Sequence, residues 1–206
     1  MAAPTLFGSA VRASIGAGTS VAGDQLNTAV TALANGHFAL AWSFDNGHQV
    51  SFFRANGVEA GAGIANYNVA NGTQLAPSNA QIRVAALSDG RVVGAWSNNT
   101  VTAADTGEAQ WAYFTESDGM GTVNTIVRAG YQGELSVIAT VNNRFQLAGV
   151  FDGTSDLDAG RIAAYSALGA LTDGALFAGP TSTGIQAQAA IAKLASGNSV
   201  IVTFDQ

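Results

Sequence analysis

The chain holds no cysteine, only three prolines in 206 residues, and only eight lysines and arginines. Without cysteine, disulfides, thiolate metal sites and a cysteine nucleophile are all excluded. That suits a cytosolic protein, and equally a secreted one stabilised without disulfides. Basic residues are outnumbered by 14 acidic ones, giving a net charge of −6 and a pI near 4.6. No basic face is then available to neutralise phosphates, so nucleic acid is not an expected partner. An anionic membrane surface is disfavoured on the same ground. No uninterrupted apolar run approaches the ~18 residues a membrane helix requires, so no membrane insertion is expected. The opening "MAAPTLFGSAVRASIG" has no basic stretch ahead of an apolar core, unlike a standard signal peptide. With 48% hydrophobic and 11% charged residues, the composition is neither that of a disordered chain nor of a coiled coil.

What is abundant is glycine: 25 residues, which suits a fold with many tight turns. In "NGHFALAWSFDNGHQVSFFRANG", residues 35–57, three Asn-Gly pairs separate two aromatic-rich apolar runs. Asn-Gly favours two-residue type I′ hairpins, because both central residues of that turn need positive φ. The stretch reads as "NTAVTALA", "HFALAWSF", "HQVSFFRA" and "VEAGAGIANYN", four strands joined at Asn35-Gly36, Asn46-Gly47 and Asn56-Gly57. Two unrelated hairpins on a sandwich would also explain it, but the pattern returns. "AVTALANGHFALAW" is echoed by "RVAALSDGRVVGAW", "VIATVNNRFQLAGVF" and "AIAKLASGNSVIVTF". Leu33, Leu87, Val141 and Leu194 then stand 54, 54 and 53 residues apart. A four-stranded antiparallel meander repeating every ~40–55 residues is the unit of a β-propeller.

The fourth copy stops after its second strand, at "VIVTFDQ", and "PTLFGSAVRASIGAG" near the N-terminus reads as the missing half. Phe7 stands there where other copies have Phe53, Phe114 or Tyr165. The expected fold is all-β, a single four-bladed β-propeller domain over residues 1–206. Blade 1 covers about 24–68, blade 2 about 78–128 and blade 3 about 134–178. Blade 4 joins about 186–206 to 3–17, supplying strands 1–2 and 3–4 respectively. Such closure removes open sheet edges. Closure between chains, giving a larger ring or an open polymer, is the alternative.

Phe38, Leu40, Trp42, Val92 and Trp96 alternate with Ala39, Ala41, Val93 and Ala95, so both faces of each blade are apolar and expected to be packed. His37 and His48 follow Asn-Gly turns and are expected to be solvated, a poor basis for a metal site. The 1–2 and 3–4 turns are tight and share one end of the meander. The 2–3 loops and 4–1 linkers share the other end and vary widely in length. Loops held by a rigid scaffold concentrate binding residues. The candidate ligand-binding face is therefore Asp24, Asp45, Asn98, Asn99, Asp105, Glu108, Trp111, Glu134 and Asp205. Trp111 also reads as a third-strand core residue, the preferred assignment. In "DGTSDLDAG", Asp152, Asp156 and Asp158 offer three hard oxygen ligands suited to Ca²⁺, but the loop lacks EF-hand spacing and a terminal bidentate Glu, and turn chemistry is the preferred reading. No GxSxG elbow, HExxH helix or P-loop is present. A glycosidase would need two carboxylates at a set separation, and no acidic residue sits in an apolar context that would raise its pKa.

"GDQLNTAVTALANGHFALAW" resembles the repeats of the kind "GDQ…VAALADGGFVVTW…RFDADG" in very large secreted bacterial proteins, many with haemolysin-type calcium-binding regions. The matching residues are Gly23-Asp24-Gln25, Ala32-Leu33-Ala34-Asn35-Gly36 and Ala41-Trp42, then Ala86-Leu87-Ser88-Asp89-Gly90 and Ala95-Trp96. The resemblance implies an extracellular or cell-surface repeat protein with a recognition role. The expected function is thus a non-enzymatic adhesion module binding a glycan or protein surface through the long-loop face, with no catalytic residues. A structural subunit of a surface layer, fibre or particle, self-assembling through the split blade, is the alternative. A glycan-acting enzyme ranks third. No cofactor is expected beyond Ca²⁺ in the aspartate loop.

Overall fold

A computed structural model of the chain describes residues 26–44, 47–60, 67–68, 81–98, 108–126, 135–151, 159–165, 169, 171–178 and 186–205. The chain is all-β and its sheets are antiparallel, and the described residues include a three-residue 3₁₀ turn at Val141–Asn143. The first sheet is β1 (Leu26–Ala32), β2 (Phe38–Phe44), β3 (Gly47–Phe53) and β4 (Tyr67–Asn68), in that spatial order. The second follows the same path through β5 (Ile82–Ala86), β6 (Val92–Asn98), β7 (Glu108–Thr115) and β8 (Gly119–Met120). A further strand, β9 (Asn124–Ile126), lies on β7. The third is β10 (Ser136–Ala139), β11 (Phe145–Phe151), β12 (Ala159–Tyr165) and β13 (Leu171–Ala178). Two strands, β14 (Gln186–Lys193) and β15 (Ser199–Asp205), form the fourth.

The hairpins between first and second strands are not two-residue type I′ turns. Leu33 N–H donates to the carbonyl of His37 (2.8 Å), and Gly36 N–H donates to that of Leu33 (3.1 Å). Only the glycine takes positive φ, +83° at Gly36. This is a three-residue loop, a type I turn closed by a left-handed glycine. Residues 54–58, 87–91 and 194–198 repeat the same pair of bonds. The residue before each glycine has a second task, since its side chain accepts the N–H two residues on. Asn35 serves His37 (3.0 Å), Asn56 serves Val58 (3.1 Å), Asp89 serves Arg91 (3.1 Å) and Ser196 serves Asn198 (3.5 Å). Short side-chain acceptors therefore recur there for a local reason.

The third sheet departs from the pattern. Thr140 N–H donates to Arg144 (2.8 Å), which makes Thr140, not Val141, the counterpart of Leu33, Leu87 and Leu194. Lacking a glycine, this turn places Asn142 and Asn143 in the left-handed region at φ 59° and 56°. Asparagine tolerates that region better than other side-chain-bearing residues.

Alternation then decides what packs on what. Ala39, Ala41, Val50 and Phe52 of the first sheet meet Ile82, Val92, Trp96, Ala112 and Phe114 of the second. The opposite face of the second sheet, with Val93, Ala95, Ala109 and Trp111, meets Leu135, Val137, Phe145 and Leu147 of the third. The third meets the fourth through Ala148, Ile138, Ile191 and Ile201. Backbone N–H groups bridge first strands of neighbouring sheets, Ala86 to Thr31 Oγ1 (3.1 Å) and Ile191 to Ser136 Oγ (3.3 Å). No helix among the described residues is long and apolar enough to cross a membrane.

Candidate functional site

The two ends of these sheets differ in chemistry. At the tight-turn end, polar side chains join one sheet to the next. His37 Nδ1 lies 2.7 Å from Glu116 Oε1, and Asn35 Nδ2 donates to the same oxygen at 3.3 Å. Asn143 Oδ1 accepts from Ser88 Oγ (2.5 Å) and from the Asp89 N–H (2.9 Å). Arg91 donates through Nε to Asp89 (2.9 Å), and its guanidinium lies 4.2 Å from the Tyr113 ring centre. Partial burial would raise the Asp89 carboxyl, but hydrogen bonds and charge from Arg91 outweigh it and hold the pKa below its usual value. Burial raises the Tyr113 phenol. This end is braced by its own contacts.

Toward the other end, where second strands finish and third strands begin, lies a layer of buried polar side chains. Ser43 and His48 are directly opposed across β2 and β3, with Ser43 Oγ 2.9 Å from His48 Nδ1. His48 is 4% exposed, contrary to the expected solvated histidine, and its ring tilts against Trp96 at 5.8 Å between centres. Strand alternation puts it on the face that packs on the second sheet. Desolvation there lowers its pKa from 6.5 to about 4, so the imidazole is neutral near pH 7. A hydroxyl beside an imidazole is the arrangement that activates nucleophiles. Here both groups are buried, with Ser43 6% and His48 4% exposed. The pair reads as an inter-sheet support.

The same layer contains a repeated Trp–Gln pair that a search for fixed spacing misses. Trp96 faces Gln110 across β6 and β7, and Trp96 Nε1 donates to Gln110 Oε1 at 2.9 Å. Gln110 Nε2 in turn donates to Thr125 Oγ1 (3.4 Å). Trp42 faces Gln49 across β2 and β3 in the equivalent register. Both are buried, at 5% and 1% exposure, yet Trp42 Nε1 and Gln49 Oε1 have no hydrogen-bond partner among the described residues. A donor and an acceptor are thus left unmatched side by side. The signal was a glutamine placed opposite the tryptophan by register, seven residues on in one copy and fourteen in the other.

Of the candidate face, Asn98 and Glu108 are paired at the ends of β6 and β7, and Asp205 is paired with Gln186 at the end of β15. These backbones lie at the long-loop end. Trp111 does not belong to that face. It sits in mid-strand opposite Ala95, 2% exposed, edge-on to Phe145 (4.9 Å) and Tyr113 (5.2 Å). Alternation turns it into the contact between second and third sheets, so it is a core residue. Asp24, Asp45, Asn99, Asp105 and Glu134, and the aspartates at 152, 156 and 158, lie outside the described residues. Among the described residues, no three histidine or acidic side chains come together to hold a metal ion.

No protein-family model matches the chain, and no curated protein matches it. Its fold is similar to that of a variant of the NanB sialidase from Streptococcus pneumoniae, with a TM-score of 0.57 at 12% identity. That likeness covers 85% of this chain and 27% of the sialidase. An α-L-arabinofuranosidase from Clostridium thermocellum gives a TM-score of 0.47 at 15% identity, over 86% of this chain and 60% of that one. The fold is β-propeller-like.

The functional expectation needs correcting. The expected non-enzymatic adhesion module, with a surface-layer or fibre subunit as its alternative, rests on the variable long-loop face and the repeat resemblance. The likeness is to a sialidase, and it removes that preference. The chain spans less than two thirds of either solved structure.

Proposed function

We propose that the chain is a four-bladed β-propeller acting on a glycan, each of its four sheets being one blade and the long-loop end holding the substrate. The observation that carries this reading is the fold likeness to a sialidase. Hydrolysis of a glycosidic bond calls for two carboxyl groups, about 5–9.5 Å apart according to stereochemical outcome. The acidic residues of the long-loop end supply the candidates, with Glu108 and Asp205 at strand ends and Asp45, Asp105 and Glu134 in the connections. An extracellular setting and Ca²⁺ held by Asp152, Asp156 and Asp158 belong to the same reading.

The test is release of a fluorescent aglycone from a panel of aryl glycosides that includes a sialoside and an α-L-arabinofuranoside. Turnover is expected on at least one. Glu108→Gln or Asp205→Asn is expected to lower kcat by about 100-fold or more if that residue is the acid, base or nucleophile. A panel with no turnover by a folded chain, at any pH from 4 to 8, would end the glycan-acting reading.

A further inference from the structure

Two of the tight turns share one backbone form and an asparagine before glycine, yet their surroundings differ. In the turns at residues 33–37 and 54–58, Asn35 and Asn56 are exposed and precede Gly36 and Gly57, both at positive φ. Each asparagine accepts a backbone N–H through Oδ1, from His37 and Val58 respectively. Asn46 and Asn71, which also precede glycine, lie outside the described residues.

An asparagine so placed can react with its own main chain. The glycine nitrogen, losing its proton, adds to the side-chain Cγ, the amide nitrogen leaves as ammonia, and a succinimide ring closes. Water then opens the ring at either carbonyl, giving aspartate or isoaspartate. Glycine favours the attack because it has no Cβ to hinder the approach of its nitrogen. The side-chain amide must first rotate over the next peptide bond, and the glycine N–H must leave its turn bond. Both turns hold that N–H, through Leu33 (3.1 Å) and Arg54 (2.8 Å).

The side chains are where the two turns part. Asn35 is tied at both ends of its amide, since Nδ2 also donates to Oε1 of Glu116, in the β7–β8 turn, at 3.3 Å. His37 Nδ1 lies 2.7 Å from the same oxygen and holds it in place. Asn56 Nδ2 has no such tie among the described residues. The backbone frames differ as well. Strands β1 and β2 pair outward from the first turn, from Ala32 with Phe38 to Leu26 with Ser43. The second turn is flanked by a single bridge, Phe53 with Glu59, and by the bond from Ala60 N–H to Phe52. Local opening of the second turn therefore breaks fewer bonds.

We propose that Asn56 is a site of spontaneous deamidation in the folded chain, and that Glu116 shields Asn35, its twin in the first turn, from the same reaction. The Asp89-Gly90 turn shows that the aspartate product fits, its carboxylate capping Val58 as Asp89 caps Arg91 (3.1 Å). Isoaspartate instead lengthens the main chain inside the loop and disturbs the bonds at 54–58. This chemistry is independent of any action on glycans.

The native chain is incubated at mildly alkaline pH, folded and in urea, and sampled over time. Fragmentation mass spectra of proteolytic peptides give the rate of mass gain at each asparagine. In the folded chain Asn56 is expected to react about 3- to 10-fold faster than Asn35, the factor that one hydrogen bond of ordinary net strength represents. In urea the two rates are expected to converge. Glu116→Ala, its β-structure verified by far-UV circular dichroism, is expected to speed Asn35 by a similar factor and leave Asn56 unchanged. Equal rates in the folded native chain, or a faster Asn35, would overturn the proposal. So would an Asn56 that reacts in urea and stays intact when folded. An unchanged Asn35 rate in folded Glu116→Ala would overturn the shielding. The comparison of the two sites within the native chain stands without the variant.

Discussion

Two side-chain arrangements at the polar layer make opposite statements about buried polarity. His48 is accommodated by staying neutral: its folded pKa is about 4, against 6.5 for the free side chain. Between those values the unfolded chain binds a proton that the folded chain refuses. The contribution is present in full above pH 6.5 and is lost as pH falls toward 4, reaching about 3 kcal/mol at most. Urea midpoints of the native chain should therefore drop through this window, and those of His48→Gln should drop by less. Parallel curves would show that His48 does not set the acid limit. The tryptophans make the second statement. Removing Gln110 leaves Trp96 Nε1 buried without its acceptor, so Gln110→Leu should cost about 1–3 kcal/mol. Gln49→Leu deletes an oxygen that has no partner among the described residues and should cost distinctly less. Equal losses in denaturant unfolding would mean that Trp42 and Gln49 are bonded in solution as their twins are.

At the level of strands and turns, much was legible because each copy repeats its local chemistry. The regular intervals, the small side-chain acceptors and the glycines placed the hairpins correctly. Turn type was not legible from Asn35-Gly36 alone. Whether the loop has two residues or three depends on whether Leu33 pairs with His37, which is a register fact. The one-residue error at Val141 has a related origin: two left-handed asparagines replace the glycine that marks the loop elsewhere. Trp111 fits both the ligand face and the core by sequence, and its burial at 2% exposure, in alternation with Tyr113 and Ala109, agrees with the preferred core assignment. The Trp–Gln pairs stayed hidden because loops of unequal length separate their members. Glycine substitutions separate backbone strain from packing. Gly90 has φ +89° and nothing within 4 Å of an added Cβ, so Gly90→Ala should cost only the left-handed penalty, about 1–2 kcal/mol. Gly169 has φ +81°, and its added Cβ would lie 2.5 Å from the Trp111 ring. Gly169→Ala should add an overpacking cost of about 1–3 kcal/mol. Matching urea midpoints for the two variants would deny that Gly169 packs on Trp111.

The sheets form a series in which each buries a face on the next, and among the described side chains the contacts are unequal. The first two interfaces carry large side chains, with Phe52, Trp96 and Phe114 in one and Trp111, Phe145 and Leu147 in the other. The interface between third and fourth sheets has Ala148 and Ile191 as its buried pair, and beyond it Leu194, Val200 and Val202 remain exposed. In stacked repeats, stability is roughly a sum of unit and nearest-neighbour terms, and local opening follows the weakest interface. Hydrogen exchange read by mass spectrometry should therefore rank the chain. Amides of β6, β7 and β11 should be slowest, and those of β14 and β15 markedly faster. Uniform protection from β6 to β15 would require the fourth sheet to be held by a surface other than its present neighbour.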